Sequence, residues 1–171
     1  MDFLVEHPNG KWLITNPSTS PENPPKGPGY KYFFDEVTAM YYFTTICVGS
    51  SIDMQILTDL FGYYVEAANA LGLDKDFAAM VTKARARLVP PQIGASGALQ
   101  EWSDDLDQME DKHRHFSHLY GLYPGNVISA KRTPELTDPV KKVLEQRGDG
   151  GTGVSRAWKM SLWARLYDGN R

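Results

Sequence analysis

Apolar residues recur every three or four positions in several parts of the chain, and this spacing predicts helices. The first helix is predicted over residues 51–73, where one apolar stripe extends along about six turns. Its members are Ile52, Ile56, Leu60, Tyr64, Ala67, Ala68 and Leu71. A second helix is predicted to be capped by Asp74 and to end at Pro90-Pro91, since proline lacks an amide hydrogen and clashes with the preceding turn. The short connection predicts an antiparallel helical hairpin.

Two further helices are predicted towards the C-terminus. Thr133-Pro134-Glu135 supplies an N-cap, a proline at the first helical position and an early negative charge, and apolar positions then continue to Gly148. After the glycine-rich loop 148–153, the spacing of apolar residues from Trp158 to Leu166 predicts the fourth helix.

Both ends of the chain and one internal segment have other patterns. Phe3 to Val5 are interpreted as the last turn of an amphipathic helix that residues 8–10 stop. Residues 37–48 are aromatic and β-branched enough to form a strand or an irregular insertion. The beginning of the helix that would end at Val5 is absent, and the fourth helix has nothing to pack over it. We therefore expect residues 1–171 to be a fragment of one mainly α domain, truncated at both ends.

Composition and charge exclude several classes of protein. Hydrophobic residues make up 42% of the chain and charged residues 23%, as in ordinary globular proteins. The net charge of -3 and the lack of a Lys/Arg-rich run give no basic surface for nucleic acid. We therefore do not expect nucleic acid as a partner. No apolar stretch reaches the roughly 18 residues of a membrane span, so we do not expect a membrane as a partner either. Cys47 is the only cysteine, which excludes an internal disulfide and a cysteine-built zinc site.

Long polar loops separate the predicted helices and carry the candidate chemistry. In the proline-rich loop after residue 15, prolines restrict the backbone around Glu22, which suits a general acid; a solvated charge is the alternative. Glu101-Trp102 pairs a carboxylate with an aromatic ring, and such a pair can bind a sugar. The C–H face of the sugar stacks on the ring, and its hydroxyls donate to the carboxylate. The acids that follow are interpreted as a solvated loop: Asp104, Asp105, Asp107, Glu110 and Asp111.

The segment His113-Arg114-His115-Phe116-Ser117-His118 holds three of the four histidines. If it is helical, His115 and His118 share one face. Three interpretations stay open: a metal site, histidines hydrogen-bonded in the core, and recognition of sugar hydroxyls by Arg114 with a neighbouring histidine. The glycine-rich loop 148–153 lacks the lysine of a phosphate-binding loop, so nucleotide binding is not predicted.

Several short motifs together resemble glycoside hydrolase family 95, and the similarity runs from end to end. They are Asn16-Pro-Ser-Thr-Ser-Pro-Glu-Asn23, Asp53-Met-Gln-Ile56 with Leu60-Phe61, Arg87-Leu88, Ile93-Gly94, Leu99-Gln-Glu-Trp102, His113 to Gly125, Arg147 to Gly153, Ala157-Trp-Lys159 and Leu162 to Leu166. Each motif is weak alone, whereas their order and spacing are specific. The resemblance implies part of an (α/α)6 toroid of the six-hairpin glycosidase type, with long functional loops. It also implies an inverting α-L-fucosidase that releases terminal L-fucose or L-galactose.

The resemblance implies roles for individual residues. Glu22 matches the family's general acid, and Arg114 and His115 match residues that line the fucose pocket. Glu101 and Trp102 lie in a family motif and are predicted to bind substrate, without an assigned chemical step. The implied partner is a fucosylated oligosaccharide or glycan, and neither a cofactor nor a metal is expected. Many family members are extracellular or periplasmic, while the sequence leaves the compartment of this chain undetermined.

Inversion needs a water-activating group about 6.5 to 9.5 Å from the acid, across the scissile bond. The resemblance implies a base side built from an Asn-x-Asn motif upstream and an Asp-Gly-Asn motif downstream. We expect the general-base residues to lie outside this chain and the isolated chain to be inactive. Asp53 lies in a family motif without an assigned step. Two departures from the family pattern are Val154, where tryptophan is usual, and the aromatic segment from Lys31 to Val48.

Two other functions stay open from the sequence. One is a non-catalytic carbohydrate-binding or degenerate helical module, whose parent gene would lack the base-side motifs. The other is a metal-dependent hydrolase that uses His113, His115 and His118, which stoichiometric zinc in the purified protein would reveal.

Overall fold

The computed structural model describes residues 3–26, 32–106 and 112–171, and the fold of these residues is mainly helical, as predicted. The helices are α1 (Ser51–Leu71), α2 (Lys75–Arg85), α3 (Thr137–Arg147) and α4 (Gly153–Arg165), with 3-10 turns at Ser117–Leu119 and Pro134–Leu136. Short strands precede α1: β1 (Leu4–Glu6), β2 (Leu13–Thr15), β3 (Ser18–Thr19), β4 (Tyr32–Asp35), β5 (Met40–Phe43) and β6 (Ile46–Cys47).

Helices α1 and α2 form the predicted antiparallel hairpin. α1 ends at Gly72, whose left-handed φ of 68° lets the Leu73 amide donate to the Ala68 carbonyl at 3.0 Å. Near this turn, the rings of Tyr64 and Phe77 meet edge to face with their centroids 5.2 Å apart. The hairpin is therefore closed by a backbone cap and an aromatic contact.

The predicted cap and the predicted end of α2 both need correction. Asp74 has left-handed backbone angles (φ 50°, ψ 37°) and makes no side-chain cap; its carboxylate accepts a hydrogen bond from Tyr64 Oη at 3.3 Å. α2 ends at Arg85, well before Pro90, because the chain beyond it pairs with β2. The Leu13 amide donates to the Arg87 carbonyl at 2.6 Å.

The apolar stripe predicted on α1 is not the face that packs best. Ile56 is 37% exposed and Leu60 is 54% exposed, whereas Met54 and Phe61, which are not in the predicted stripe, are buried. Ala68 is the one buried residue of the stripe. α1 carries apolar residues on more than one side, and α2 and β2 cover the side of Met54 and Phe61. This first core cluster contains Ile14, Met54, Phe61, Val81 and Leu88.

α3 and α4 bury the apolar residues that their spacing predicted, together with residues of the loop between α2 and α3. This second core cluster contains Ala98, Leu99, Phe116, Leu119, Leu122, Ile128, Leu136, Val140, Val143, Leu144, Leu162, Trp163 and Leu166. α4 begins at Gly153, earlier than Trp158, because the extended backbone of Thr152 (φ -67°, ψ 165°) ends the glycine-rich loop there.

The N-terminal residues form a β-hairpin, so the prediction of a helical turn at Phe3 to Val5 is wrong. β1 pairs antiparallel with β2, and Val5 lies opposite Ile14. Gly10 adopts a φ of 70°, which glycine reaches without strain, and its amide donates to the His7 carbonyl at 2.8 Å. The paired strand supplies backbone partners that one isolated helical turn lacks.

The remaining strands lie before and after the loop that carries Glu22. β3 pairs antiparallel with β6, and β4 pairs antiparallel with β5. The strand or insertion predicted within residues 37–48 therefore contains β5 and β6, while Lys31 lies outside the described residues. Because β3 ends at Thr19, the loop of Ser20 to Asn23 starts from a fixed strand.

Polar contacts join the two core clusters. Gln55 on α1 donates from Nε2 to the His118 carbonyl at 2.7 Å and accepts from the Gly121 amide at 2.6 Å. Asp59 accepts from the Asn126 amide at 3.1 Å. These bonds fix α1 against the segment that contains the histidines.

Candidate active site

A cavity of about 380 Å³ lies between the Glu22 loop, the start of α1, the histidine segment and the start of α4. The residues that line it are Pro21, Ile52, Arg114, His115, Ser117, Thr152, Val154, Ser155 and Trp158. Its volume is within the range of about 300 to 1,000 Å³ that small-molecule sites have. Two larger cavities, of about 560 and 440 Å³, contain none of the predicted site residues. The smaller cavity is therefore the candidate active site.

Glu22 lies at a turn of unusual backbone geometry beside this cavity. Its φ of 56° is in the left-handed region, which a residue other than glycine occupies only where its surroundings hold it. The carboxylate forms an ion pair with Arg114 Nη2, and His115 Nε2 lies 3.7 Å from the same oxygen. The structure thus brings together the predicted acid and the two predicted pocket residues.

The hydrogen bond of His115 defines which ring nitrogen carries its proton. Nδ1 lies 3.0 Å from the carbonyl oxygen of Pro21. A carbonyl can only accept, so Nδ1 is the donor, and in the neutral ring the Nε2 lone pair faces Glu22. His115 therefore contacts both the backbone before Glu22 and the space beside its carboxylate.

Glu101 is completely buried at the centre of a polar cluster, which we call the Glu101 network. Its other members are Ser20, Asn23, Ser117, His118 and Arg147. Oε1 accepts from Ser20 Oγ at 2.5 Å and from Ser117 Oγ at 3.1 Å. Oε2 accepts from Asn23 Nδ2 and Arg147 Nη2, both at 2.9 Å, and lies 3.4 Å from His118 Nδ1.

The Glu101 network holds the chain on both sides of Glu22. Ser20 and Asn23 are themselves buried, while the Glu22 side chain between them is 57% exposed. The Glu101 carboxylate is not presented to the cavity in this arrangement. The geometry therefore supports a positioning role for Glu101, and its direct contact with substrate stays a prediction.

Trp102 also lies away from the cavity. It is 3% exposed, and its Nε1 has no hydrogen-bond partner among the residues that the structure describes. The aromatic wall of the cavity is instead Trp158, whose Nε1 donates to the Tyr123 carbonyl at 2.9 Å. The sequence had placed Trp158 on the apolar face of a helix and in a family motif, without a role in a binding site.

The three clustered histidines point to different surroundings. Residues 113–116 are not helical, so His115 and His118 do not share a helix face. The rings of His113 and His115 meet edge to face at 5.1 Å, whereas the buried His118 ring faces Glu101. Within residues 3–26, 32–106 and 112–171, no group of three histidine, cysteine, aspartate or glutamate side chains could hold a metal ion.

No described residue lining the cavity is a carboxylate that could act opposite Glu22. In the acidic run, Asp105 accepts from the Ala95 amide at 2.7 Å, while Asp107, Glu110 and Asp111 lie outside the described residues. The base side was expected to include an Asp-Gly-Asn motif outside this chain. The sequence does contain one Asp-Gly-Asn tripeptide, residues 168–170. It follows the C-terminal end of α4. At 1.5 Å per residue it lies roughly 20 Å from the cavity at the other end of this helix.

The start of α4 contributes residues that sequence reasoning missed. Ser155 and Trp158 line the cavity three positions apart, which puts them on one helix face. Lys159, also buried, donates to the Gly150 carbonyl at 2.5 Å, and burial lowers its pKa. The spacing of Ser155 and Trp158 could have indicated from the sequence that they share a helix face, but only if the helix is known to begin at Gly153.

Among the helices that the structure describes, none is long and apolar enough to cross a membrane.

Comparisons with known proteins identify one family and relatives named as fucosidases. The family model described as the glycosyl hydrolase family 95 catalytic domain matches residues 1–171. The chain is 37% identical over 169 residues to Alpha-L-fucosidase 2 of Arabidopsis thaliana, which covers 98% of this chain and 19% of that protein. It is 33% identical over 162 residues to Probable alpha-fucosidase A of Aspergillus niger, covering 90% of this chain and 18% of that protein. The chain thus spans about a fifth of the length of the curated relatives it matches.

Proposed function

Because this chain belongs to glycosyl hydrolase family 95, we propose that the protein is an inverting α-L-fucosidase in which Glu22 is the general acid. The observation that carries the proposal is the contact of Glu22 with Arg114 and His115 beside a cavity of about 380 Å³. The names of the relatives support fucose as the sugar and a fucosylated oligosaccharide or glycan as the substrate. In the same proposal, α1 to α4 form part of an (α/α)6 toroid.

In the proposed reaction, Glu22 gives its proton to the glycosidic oxygen as the bond from that oxygen to the anomeric carbon breaks. Water attacks the opposite face of this carbon and loses a proton to a general base, which inverts the configuration. We propose that the base comes from a segment outside residues 1–171. The isolated chain would then bind the sugar without hydrolysing it efficiently.

The ion pair of Glu22 with Arg114 describes the site before substrate enters. A general acid must carry a proton, so this pair has to open in the reactive complex. Sugar hydroxyls are suitable replacement partners for Arg114, because a guanidinium presents several donors in one plane. Substrate binding would thus engage Arg114 and release the Glu22 carboxyl towards the glycosidic oxygen.

Two sets of contacts would keep Glu22 in place during this exchange. His115 donates to the Pro21 carbonyl, and the Glu101 network binds Ser20 and Asn23. A displacement of about 1 Å at a reacting group costs up to about 100-fold in rate. Glu101 would therefore act through Glu22, as a positioning residue.

The test is Glu22→Gln in an active form of the protein. The amide keeps the shape of the side chain but cannot donate the catalytic proton. We expect kcat on 2'-fucosyl-lactose to fall about 100- to 10,000-fold. We expect a much smaller fall on a 4-nitrophenyl fucoside, whose leaving group needs little protonation.

Glu135→Gln is the matched control, since Glu135 is an exposed carboxylate that does not line the cavity. It should leave both rates unchanged. Normal hydrolysis of 2'-fucosyl-lactose by Glu22→Gln would show that the acid is another residue.

A further inference from the structure

The N-terminal turn of α4 contains a buried hydroxyl without a partner. Ser155 is 3% exposed, and its Oγ has no hydrogen bond within the described part of the chain. Leaving such a group unpaired is unfavourable, so native structures rarely keep one without a reason. Ser155 is also one of the residues that line the cavity of the candidate active site.

The surrounding backbone offers further donors to the same region. α4 extends over 13 residues, and its N-cap residue Thr152 makes no side-chain cap hydrogen bond. The first amides of any helix lack intrahelical acceptors, and the helix dipole makes this end positive. Thr152, Val154 and Ser155 all line the cavity. The cavity wall therefore combines an unpaired hydroxyl with a helix end that favours ligand oxygens.

The other polar side chains that line the cavity also favour a ligand whose oxygen atoms accept hydrogen bonds. Arg114 and His115 also line it, while no carboxylate does among the described residues. Ile52, Val154 and Trp158 supply apolar surface that fits the C–H groups of a sugar ring. A neutral sugar, which has apolar faces and hydroxyl oxygens that accept hydrogen bonds, satisfies both parts of this lining.

We propose that Ser155, at the N-terminal turn of α4, hydrogen-bonds a hydroxyl oxygen of the L-fucosyl unit and determines specificity for the sugar that carries it. The inference rests on the proposed function, because it requires the cavity to take the sugar. Ser155 reaches the sugar from α4, whereas Arg114 and His115 reach it from the histidine segment. The sugar would thereby be bound by two separate parts of the chain.

The test measures binding of L-fucose to the 171-residue chain by NMR titration, which needs no catalysis. Ser155→Ala should weaken binding about three- to tenfold, the effect of one neutral hydrogen bond. It should not lower the urea midpoint of the free protein, because it removes a buried hydroxyl that is unpaired there. Ser161→Ala is the control, since Ser161 is on the same helix and donates to the Ala157 carbonyl at 3.2 Å. This control should bind L-fucose normally.

Monodeoxy analogues of L-fucose, lacking the 2-, 3- or 4-hydroxyl, identify the contact. One analogue should bind the parent chain more weakly than L-fucose does. The parent chain and Ser155→Ala should bind this analogue with equal affinity, because the hydrogen bond is absent from both complexes. Equal affinity of the parent and Ser155→Ala for L-fucose would overturn the inference and leave the proposed function intact. A uniform loss for L-fucose and every analogue would also overturn it, since it indicates a change of cavity shape. If the parent chain bound no L-fucose, the sugar cavity of the proposed function would itself be wrong.

Discussion

Removing the charge of Glu101 should destabilise the protein strongly without changing the shape of the side chain. In Glu101→Gln, the amide oxygen can face Asn23 and Arg147, which only donate to it in the native structure. The amide nitrogen then faces Ser20 and Ser117, whose hydroxyls can turn to accept. Because the hydrogen bonds can be rearranged in this way, the substitution isolates the loss of the negative charge.

The expected magnitude follows from the burial of the pair. Glu101 Oε2 lies 2.9 Å from Arg147 Nη2, and the two side chains are 0% and 5% exposed. At an effective dielectric constant near 20, charges about 4 Å apart attract by about 4 kcal/mol. Breaking a buried pair by removing one partner typically costs about 3 to 5 kcal/mol. We therefore expect Glu101→Gln to lower the free energy of unfolding by about 3 kcal/mol.

Urea unfolding followed by tryptophan fluorescence provides the measurement. With a denaturant dependence of about 2 kcal/mol per M, a loss of 3 kcal/mol lowers the midpoint by about 1.5 M. Glu6→Gln is the matched control, because Glu6 pairs with Arg87 at 2.7 Å while the two side chains are 68% and 41% exposed. An exposed pair contributes at most about 1 kcal/mol, so this midpoint should move by less than about 0.5 M.

Equal midpoints for Glu101→Gln and Glu6→Gln would refute the reasoning, because burial would then add nothing to the pair. A second variant tests the cause of the loss. Arg147→Met combined with Glu101→Gln should cost less than the sum of the single changes by at least about 1 kcal/mol, since no buried cation is left unpaired. Strict additivity would show that the two side chains do not act on each other.

Two further predictions concern positions away from the cavity. Burial raises the pKa of Cys47 from 9.0 to about 11, so the unfolded chain loses the thiol proton first. The free energy of unfolding should therefore fall as the pH rises from about 9 to 11, and Cys47→Ala should reduce this slope; an unchanged slope would contradict the assignment. Gly125→Ala should cost about 2 kcal/mol in urea unfolding, because a Cβ there would lie 2.7 Å from the Tyr120 carbonyl oxygen. Gly150→Ala, whose Cβ would meet nothing within 4 Å, should stay within about 0.5 kcal/mol; equal losses for the two would refute the steric argument.

The helices could be predicted because their signals are local. Apolar spacing over 10 or more residues identified α1, α2 and α3, and it identified most of α4. The burial of Val140 and Leu162 followed from the same spacing. The face of α1 that packs could not be predicted, because residues on several sides are apolar and the choice depends on α2 and β2. The hairpin of β1 and β2 was missed for a similar reason, since three residues have no usable period of their own.

The candidate site divides in the same way. Glu22 and Arg114 are 92 residues apart in sequence, so no local pattern could predict their ion pair; only the family resemblance had linked them. Glu101 was assigned to the sugar because an acid beside a tryptophan resembles a binding surface. Its burial depends on Ser20 and Arg147, which come from distant parts of the chain. The spacing of Ser155 and Trp158 indicates one helix face only if the start of α4 is known, and the unpaired hydroxyl of Ser155 can be recognised only once its neighbours are known.

The Glu101 network also affects the order in which the molecule acquires its site during synthesis. Ser20 and Asn23 are made 81 and 78 residues before Glu101, and Arg147 follows Glu101 by 46 residues. At about 5 to 20 residues per second, this last interval takes about 2 to 9 s on the ribosome. During that time Glu101 lacks the guanidinium of Arg147, and burying its charge unpaired would be costly. The loop that carries Glu22 is therefore synthesised before Glu101 and Arg147, and it becomes ordered only after Arg147 of α3 has been made.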